Sequence, residues 1–188
     1  EYWLTEGCKS LKHNNASMVA GNIEFTFKDS EPNIWEYFDS AGKLNQKSYV
    51  ENAGFGATAN LFVRKDMFNN YGLFLSELES GGDYEFGRRL TKAGEKLFYS
   101  QEALVRHPAR STFREKHNKS KRIARGQKHL SEMGLLAHGE LGWRQLIPTG
   151  KISSNSKINR LGKIFLILIN NFFNYMNYYW RRTYRPSK

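Results

Sequence analysis

Strand-like and helical segments alternate between Gly54 and Arg110, and this alternation predicts a fold of the α/β class. Apolar and β-branched runs predict the strands, whereas the helical runs end at glycines, which commonly terminate helices. The expected elements, in chain order, are a buried strand at 57–64, a helix at 65–71, a helix at 84–93, and short strands at 96–100 and 103–106. This order could bring the ends of several elements to one edge of a sheet.

Three side chains with acid–base or metal-binding chemistry lie in this stretch: Asp83, Glu85 and His107. Carboxylates and an imidazole that meet at one sheet edge suit a base-assisted or metal-assisted transfer. A structural interpretation is also open. An aspartate at a helix start is the usual N-cap, and a glutamate in the first turn interacts favourably with the helix dipole. A single histidine before Pro108, which should end its strand, is most often structural or solvated.

The stretch resembles the second half of a family 2 glycosyltransferase with the GT-A fold. The resemblance covers nearly all of residues 1–130 in order and spacing. The segments that carry it are the turn 67–74, the acidic motif 81–86, Arg88 and Arg89 in the helix that follows, the segment 94–107 and the basic helix after it. One position departs from the family pattern, which often has Glu-Asp where this chain has Gly82-Asp83.

The resemblance implies an inverting transfer of a sugar from a nucleotide-sugar donor to a hydroxyl acceptor. Asp83 corresponds to the catalytic base, and Glu85 is its less certain catalytic neighbour. The leaving nucleoside diphosphate requires a divalent cation (Mg²⁺ or Mn²⁺) or clustered basic side chains. His107 matches a position that supplies a metal ligand in such enzymes.

The Asp-x-Asp motif that binds the cation in this family does not occur in the sequence. The first residues, 1–4, resemble the helix that follows this motif, and 18–23 resembles the next central strand. We therefore expect the chain to be the C-terminal, acceptor-side half of a longer enzyme, inactive by itself. The alternative is a naturally short chain with another architecture.

The strongly basic character of the chain is concentrated in residues 106–128. The net charge is +11, whereas the single cysteine, Cys8, excludes an internal disulfide and fits a reducing compartment. Three interpretations of the basic segment are open: a solvated helix face, a nucleic-acid site, and a site for the donor diphosphate or a phosphorylated acceptor. We expect no nucleic-acid partner, because the segment has few aromatics for base stacking. The resemblance favours phosphate binding, with the candidates Arg110, Lys121, Arg122 and Arg125.

The tail, residues 160–182, combines an apolar run with aromatic and basic residues. Only 164–169 is uninterrupted, whereas a membrane span needs about 20 predominantly apolar residues. Tyr178, Tyr179 and Trp180 adjoin two arginines, a mixture typical of the headgroup boundary. An amphipathic helix on the membrane surface is therefore favoured, and packing against protein is the alternative.

Together these features predict a partial GT-A α/β fold with a mixed sheet, flanking helices and a C-terminal amphipathic helix. The expected parts are an acceptor-side catalytic part (1–133), a connecting segment (134–159) and a membrane-interfacial tail (160–188). The expected function is glycosyl transfer to a sugar or lipid-linked acceptor in cell-surface polysaccharide or glycolipid synthesis. The expected location is cytoplasmic, peripheral to the inner face of the cell membrane. The alternative is a non-catalytic basic module that binds membrane or nucleic acid. Aromatic residues in 33–39, expected to be loop-like, could stack on a sugar or belong to a core.

Overall fold

The computed structural model describes residues 2–41, 44–136 and 160–183. The chain divides into two compact units, which we call the sheet unit and the helical unit. The sheet unit comprises Glu1–Ser30, Lys43–Glu77 and Gly81–Ala109. The helical unit comprises Glu31–Gly42, Leu78–Ser80 and Arg110–Lys188. Most of the predicted connecting segment 134–159 lies outside the described residues, and the predicted division into three parts stays a prediction.

The sheet unit is built on a mixed sheet in which β1 (Met18–Thr26) is the central strand. Strand β2 (Leu61–Val63) pairs with β1 antiparallel, and β3 (Leu97–Pro108) pairs with it parallel. The parallel register begins at Met18 opposite Leu97 and ends at Thr26 opposite Pro108. Strand β1 is therefore hydrogen-bonded on both sides, as expected of an apolar run with a largely buried first half.

Alternate side chains of β1 face two different apolar clusters, as the period of a strand requires. Val19 packs with Ala16, Phe62 and Ala103, and Leu11 of α1 (Tyr2–His13) adjoins this cluster. Met18 packs on the other face with three residues of two further helices, α4 (Lys65–Tyr71) and α5 (Gly82–Lys92). These are Met67, Phe86 and Leu90. The predicted α/β class with a mixed sheet and flanking helices is therefore confirmed.

Several predicted elements are confirmed, and others are corrected. Helix 65–71 is present with the predicted bounds and ends at Gly72. The strand predicted at 57–64 is a 3₁₀ turn (Thr58–Asn60) followed by the short strand β2. The two strands predicted at 96–100 and 103–106 are one strand, β3. It includes Pro108 because a proline can occupy the last position of a strand, where no further ladder bond is required.

A short helical segment precedes β2 and anchors it through a buried amide. Helix α3 (Gln46–Ser48) continues into a π-helical turn at Tyr49–Ala53. The Gln46 amide group accepts from the Ala57 backbone amide at 2.8 Å and donates to the Ala57 carbonyl at 3.0 Å. Because both bonds are buried, breaking them would leave polar groups in the interior without hydrogen-bond partners. Gln46 therefore fixes the loop that leads to Thr58.

The helical unit contains α2 (Ile34–Ala41), α6 (Phe113–Glu132) and α7 (Arg160–Thr183). Thr112 caps α6 in a capping box with Glu115. The segment 33–39 was expected to be loop-like, but all of it except Asn33 lies in α2. Its aromatic residues Trp35 and Phe38 contact Phe113 and Phe173 at centroid distances of 5.4 and 5.7 Å, so they belong to a core.

Helix α7 buries one apolar face within the helical unit. Leu166, Ile169, Phe173 and Trp180 are buried, and their spacing of three, four and seven residues places them on one side of the helix. Trp180 meets the His117 ring edge-to-face at 4.9 Å, so this residue is not available to a lipid headgroup zone as the sequence suggested. None of the helices in the described residues combines the length and apolarity that a membrane crossing needs.

Candidate functional site

Asp83 lies in the first turn of α5 and not at its N-cap, which is the first correction at the candidate site. The N-cap is Gly81, whose φ of 88° is the left-handed conformation that glycine adopts without strain. Gly81 has no side chain to cap the helix. The Asp83 carboxylate instead accepts from the backbone amide of Tyr84 at 2.9 Å and from that of Thr58 at 3.4 Å. The half-buried carboxylate therefore lies between a helix start and the loop that Gln46 anchors.

Three aromatic rings in mutual contact lie in the neighbourhood of this carboxylate. Tyr49 stacks on Phe55 at a centroid distance of 4.8 Å, and Phe55 meets the Tyr84 ring edge-to-face at 5.2 Å. Burial, together with the negative charge of Asp83, raises the pKa of the Tyr49 hydroxyl. All three rings are half-buried, so each retains some accessible surface. Aromatic faces beside a carboxylate are suited to hold a sugar ring whose hydroxyl faces a base.

Close packing holds the loop at 54–55 against helix α5. A Cβ added at Gly87 would lie 2.7 Å from the Phe55 Cβ, so only glycine permits this approach. The Thr91 hydroxyl donates to the Gly54 carbonyl at 3.0 Å. These contacts fix the position of Phe55 relative to the helix that carries Asp83.

Glu85 has a structural partner for each of its carboxylate oxygens. Arg89 forms a two-pronged ion pair with it, with Nε to Oε1 at 2.8 Å and Nη2 to Oε2 at 3.0 Å. The same guanidinium donates to the carbonyls of Tyr71 and Leu73. Glu85 is buried and Arg89 half-buried, so the pair ties α5 to the turn after α4. The catalytic assignment of Glu85 stays a prediction, and the geometry gives this residue an evident structural task.

His107 lies near the carboxyl end of β3, where Phe25 of β1 is its register partner. The two rings meet edge-to-face at 5.7 Å, and His107 Nδ1 lies 2.9 Å from the Pro108 carbonyl oxygen. Among the interactions of the described residues, none joins His107 to Asp83. Within the same residues, no group of three or more His, Cys, Asp or Glu side chains is placed to hold a metal ion. The described part of the chain therefore supplies no complete cation site.

The structure separates the four candidate phosphate ligands into different surroundings. Arg122 donates to the Glu79 carbonyl at 3.4 Å and to the Ser80 hydroxyl at 3.3 Å, and Arg125 forms an ion pair with Glu79 at 3.6 Å. Lys121 lies half-buried on the same helix. Arg122 and Arg125 therefore attach α6 to the segment 78–80. A Cβ added at Gly126 would lie 2.2 Å from the Ser80 carbonyl oxygen, so this contact is very close.

Arg110, the fourth candidate, contacts the buried carboxylate of Asp39 on α2. Its backbone amide and its Nη1 donate to Asp39 Oδ2 at 3.2 and 3.3 Å. Lys116 and Lys119 donate to Asp39 Oδ1 at 3.1 and 2.8 Å. Burial by itself raises the pKa of Asp39, but the hydrogen bond and charge of Lys119 and the charge of Lys116 outweigh it and hold that pKa well below its usual range.

Sequence reasoning did not find Gln46, Asp39, Lys116 or Lys119. Gln46 and Asp39 carry no local signal, because their partners lie far along the chain and only the fold brings them together. The two lysines do carry a signal. Their separation of three residues places them on one face of a helix, whereas the candidates predicted on this helix, Lys121, Arg122 and Arg125, lie further along it. Both lysines belong to the basic segment 106–128, in which the sequence alone did not distinguish them from the other basic residues.

No protein-family model matches the chain. Over 127 residues the chain is 33% identical to glycosyltransferase AglE of Haloferax volcanii. The match covers 68% of this chain and 41% of AglE, so the chain spans less than half the length of this curated relative. This similarity supports a relation between the chain and part of a glycosyltransferase.

Proposed function

We propose that the chain is the acceptor-side part of an inverting glycosyltransferase in which Asp83 is the catalytic base. The observation that carries the proposal is the Asp83 carboxylate, held at a glycine-initiated helix start beside three half-buried aromatic rings. The similarity to AglE, a protein named as a glycosyltransferase, supports the same reaction class. Family 2 membership and the GT-A fold are part of this proposal.

The proposed reaction assigns one proton transfer to this carboxylate. An Asp83 oxygen accepts the proton of an acceptor hydroxyl while the oxygen of that hydroxyl attacks the anomeric carbon of the donor. The bond between the anomeric carbon and the donor diphosphate breaks, and the nucleoside diphosphate leaves with the bonding electrons. Because attack and departure occur on opposite faces, the anomeric configuration inverts. Two backbone amides orient the carboxylate, and a positioned base of this kind contributes about 10²–10⁴-fold to the rate.

The donor is proposed to be a nucleotide sugar and the acceptor a sugar or lipid-linked sugar of a cell-surface polysaccharide or glycolipid. Tyr49, Phe55 and Tyr84 would contact the acceptor ring. Arg110, Lys121, Arg122 and Arg125 remain proposed ligands of the phosphate groups. A divalent cation, Mg²⁺ or Mn²⁺, would stabilise the leaving diphosphate when bound, with His107 as one ligand. No step is assigned to this cation, since the described residues do not complete its site.

A membrane surface is the proposed partner of the tail, at the cytoplasmic face of the membrane. Besides its buried face, helix α7 carries an exposed apolar stripe whose members follow a three–four–three–four spacing. They are Phe165, Leu168, Phe172, Tyr175 and Tyr179. Residues 160–183 include Arg160, Lys163, Arg181 and Arg182 and no acidic residue. A stripe of this kind beside basic residues complements an anionic lipid surface.

Flotation with anionic vesicles tests the membrane proposal. We expect the double variant Leu168→Gln/Phe172→Gln, or a chain cut after Ser156, to float far less than wild type. Leu73→Gln removes an equally exposed leucine from the sheet unit and should leave flotation unchanged. Equal flotation of the wild type and the stripe variant would exclude the stripe as the membrane contact.

The catalytic proposal is tested with Asp83→Asn in the full-length gene product. We expect turnover of nucleotide sugar to fall about 10²–10⁴-fold, with donor affinity and thermal midpoint nearly unchanged. Asp66→Asn is the matched control, because Asp66 also lies in the first turn of a helix and forms only a surface ion pair with Arg64. If both variants turn over donor like wild type, Asp83 is not the base. If the wild type itself turns over no donor, the non-catalytic binding module becomes the better account.

A further inference from the structure

We propose that the Asp39 cluster, which comprises Asp39, Arg110, Lys116 and Lys119, is a binding site for a phosphate or diphosphate group. All of its members belong to the helical unit, where Asp39 is on α2, Arg110 precedes α6, and both lysines are on α6. Of these residues only Arg110 was among the candidates from the sequence. In this site the cations contact the ligand, whereas Asp39 is a positioning residue that holds them together.

Asp39 is the central residue of the cluster and contacts each of the three cations. The Asp39 side chain is 0% exposed, and both of its oxygens are occupied: Oδ1 accepts from Lys116 and Lys119, and Oδ2 from Arg110. Side-chain cations that would otherwise sample many rotamers are therefore drawn to a single point. Lys116 is further restrained, since its Nζ lies 4.7 Å from the centre of the Phe38 ring. A preorganised set of donors loses little entropy when a ligand binds.

The cluster carries more positive than negative charge. Three cations share one carboxylate, which gives a formal charge of +3 − 1 = +2. The other acids on these helices have contacts outside the cluster: Glu36 accepts from the Asn33 amide at 2.9 Å, Glu115 from the Ser111 and Thr112 amides, and Glu132 pairs with Lys128 at 3.8 Å. A dianionic phosphate would neutralise the surplus, and arginine and lysine are the side chains suited to bind it.

The cations also retain the means to reach a ligand. Their side chains are 28%, 13% and 17% exposed for Arg110, Lys116 and Lys119, so the cluster borders solvent. The Arg110 side chain donates to Asp39 through Nη1, and a guanidinium has further N–H donors for a second partner.

A purely structural ion pair would need only one of these cations. Burial lowers the pKa of Lys119, and the neighbouring charges of Lys116 and Arg110 lower it further against the opposing effect of Asp39. Gathering like charges in this way is unfavourable for folding and favourable for binding an anion.

Two sources could provide the phosphate chemistry: a soluble nucleoside diphosphate and a lipid-linked phosphate. Both present the same oxygens to the cluster, so the cluster alone does not discriminate between them. Phosphate binding here requires no turnover at Asp83, which belongs to the sheet unit. A binding measurement can therefore fail or succeed independently of the proposed glycosyl transfer.

Calorimetric titration of the 188-residue chain with inorganic pyrophosphate, at constant ionic strength, tests the soluble source. We expect saturable binding that Lys119→Met and Lys116→Met each weaken at least about tenfold, because each removes a charge-assisted hydrogen bond. Arg114→Met is the matched control, since Arg114 is exposed on the same helix and its loss changes the net charge equally. This control should weaken binding by less than about twofold, as expected of an unspecific charge effect. Circular dichroism and thermal melting verify that each variant is folded. If Lys119→Met does not fold, Lys116→Met provides the test.

Flotation with phosphatidylcholine vesicles that contain phosphatidic acid tests the lipid source. Vesicles with phosphatidylserine at equal surface charge are the reference. Preference for phosphatidic acid that both lysine variants abolish would support a lipid-linked phosphate, and pyrophosphate binding alone would support a soluble diphosphate. The site is excluded if neither probe binds, or if Arg114→Met weakens binding as much as Lys119→Met.

Discussion

Two aspartates in this molecule occupy opposite kinds of environment. Asp39 is fully buried, and three cationic side chains hold it through both oxygens. Asp83 is half-buried, and its oxygens meet backbone amides. A carboxylate with a strongly lowered pKa, such as Asp39, is a poor proton acceptor at neutral pH and serves to position charges. The difference teaches that burial and ion pairing mark a carboxylate that positions charges, whereas partial access and amide contacts suit the proposed catalytic base.

The largest expected difference between the two aspartates is in stability. Asp39→Asn leaves three buried or half-buried cations without their counter-charge, and we expect the free energy of unfolding to fall by about 3–5 kcal/mol. Asp83→Asn should cost no more than about 1 kcal/mol, because the asparagine oxygen can still accept from the Tyr84 amide, and the bond lost from the Thr58 amide is a long one at 3.4 Å. Urea denaturation monitored by circular dichroism measures both values. Equal losses would show that the two carboxylates are not different in kind.

A second expected effect concerns the packing that fixes the surroundings of Asp83. Gly87→Ala introduces a methyl group where the Phe55 Cβ leaves only 2.7 Å. We expect a loss of about 1–3 kcal/mol through overpacking, together with reduced acceptor affinity as Phe55 moves. Gly94→Ala provides a reference for backbone strain without a clash, since Gly94 has a φ of 92° and open space around it. If Gly87→Ala is as stable as wild type, the loop at 54–55 is not held by this contact.

The stabilisation that Asp39 provides should depend on pH. Because the pKa of Asp39 is lower in the folded protein than in the unfolded chain, its stabilisation is complete above the unfolded value of about 3.9. The stabilisation is then lost as the pH falls through the folded-state pKa. The stability difference between wild type and Asp39→Asn should accordingly be constant from about pH 5 to 8 and shrink below about pH 4. A difference that changes between pH 5 and 8 would assign the effect to another group.

The smallest expected change in stability is that of His107→Ala. This half-buried residue has one ring contact and one contact with a neighbouring carbonyl, so we expect a loss within about 1 kcal/mol. If His107 is a metal ligand in the full-length protein, the variant should instead require a much higher concentration of Mg²⁺ or Mn²⁺ for activity. An unchanged cation titration would leave His107 with a structural role only.

The sequence was sufficient where the determinants of structure are local. The helix at 65–71 was predictable because its signals lie within a few residues. The N-cap at Gly81 was not predicted, since an aspartate two residues later gives the more familiar signal. Gln46 and Asp39 could not be assigned, because their partners lie at a sequence separation of 11 to 80 residues. The different surroundings of Asp39 and Asp83 are therefore a tertiary property.

The parallel pairing of β1 with β3 has a consequence for how the chain folds. Met18 and Leu97 are register partners although 97 − 18 = 79 residues separate them in the sequence. Closing a loop of this length costs conformational entropy before any ladder bond compensates for it, and contacts of long range slow folding. Until β3 arrives, one edge of β1 and its apolar residues are open to other chains. During synthesis the central strand is therefore made early and must wait for its parallel partner.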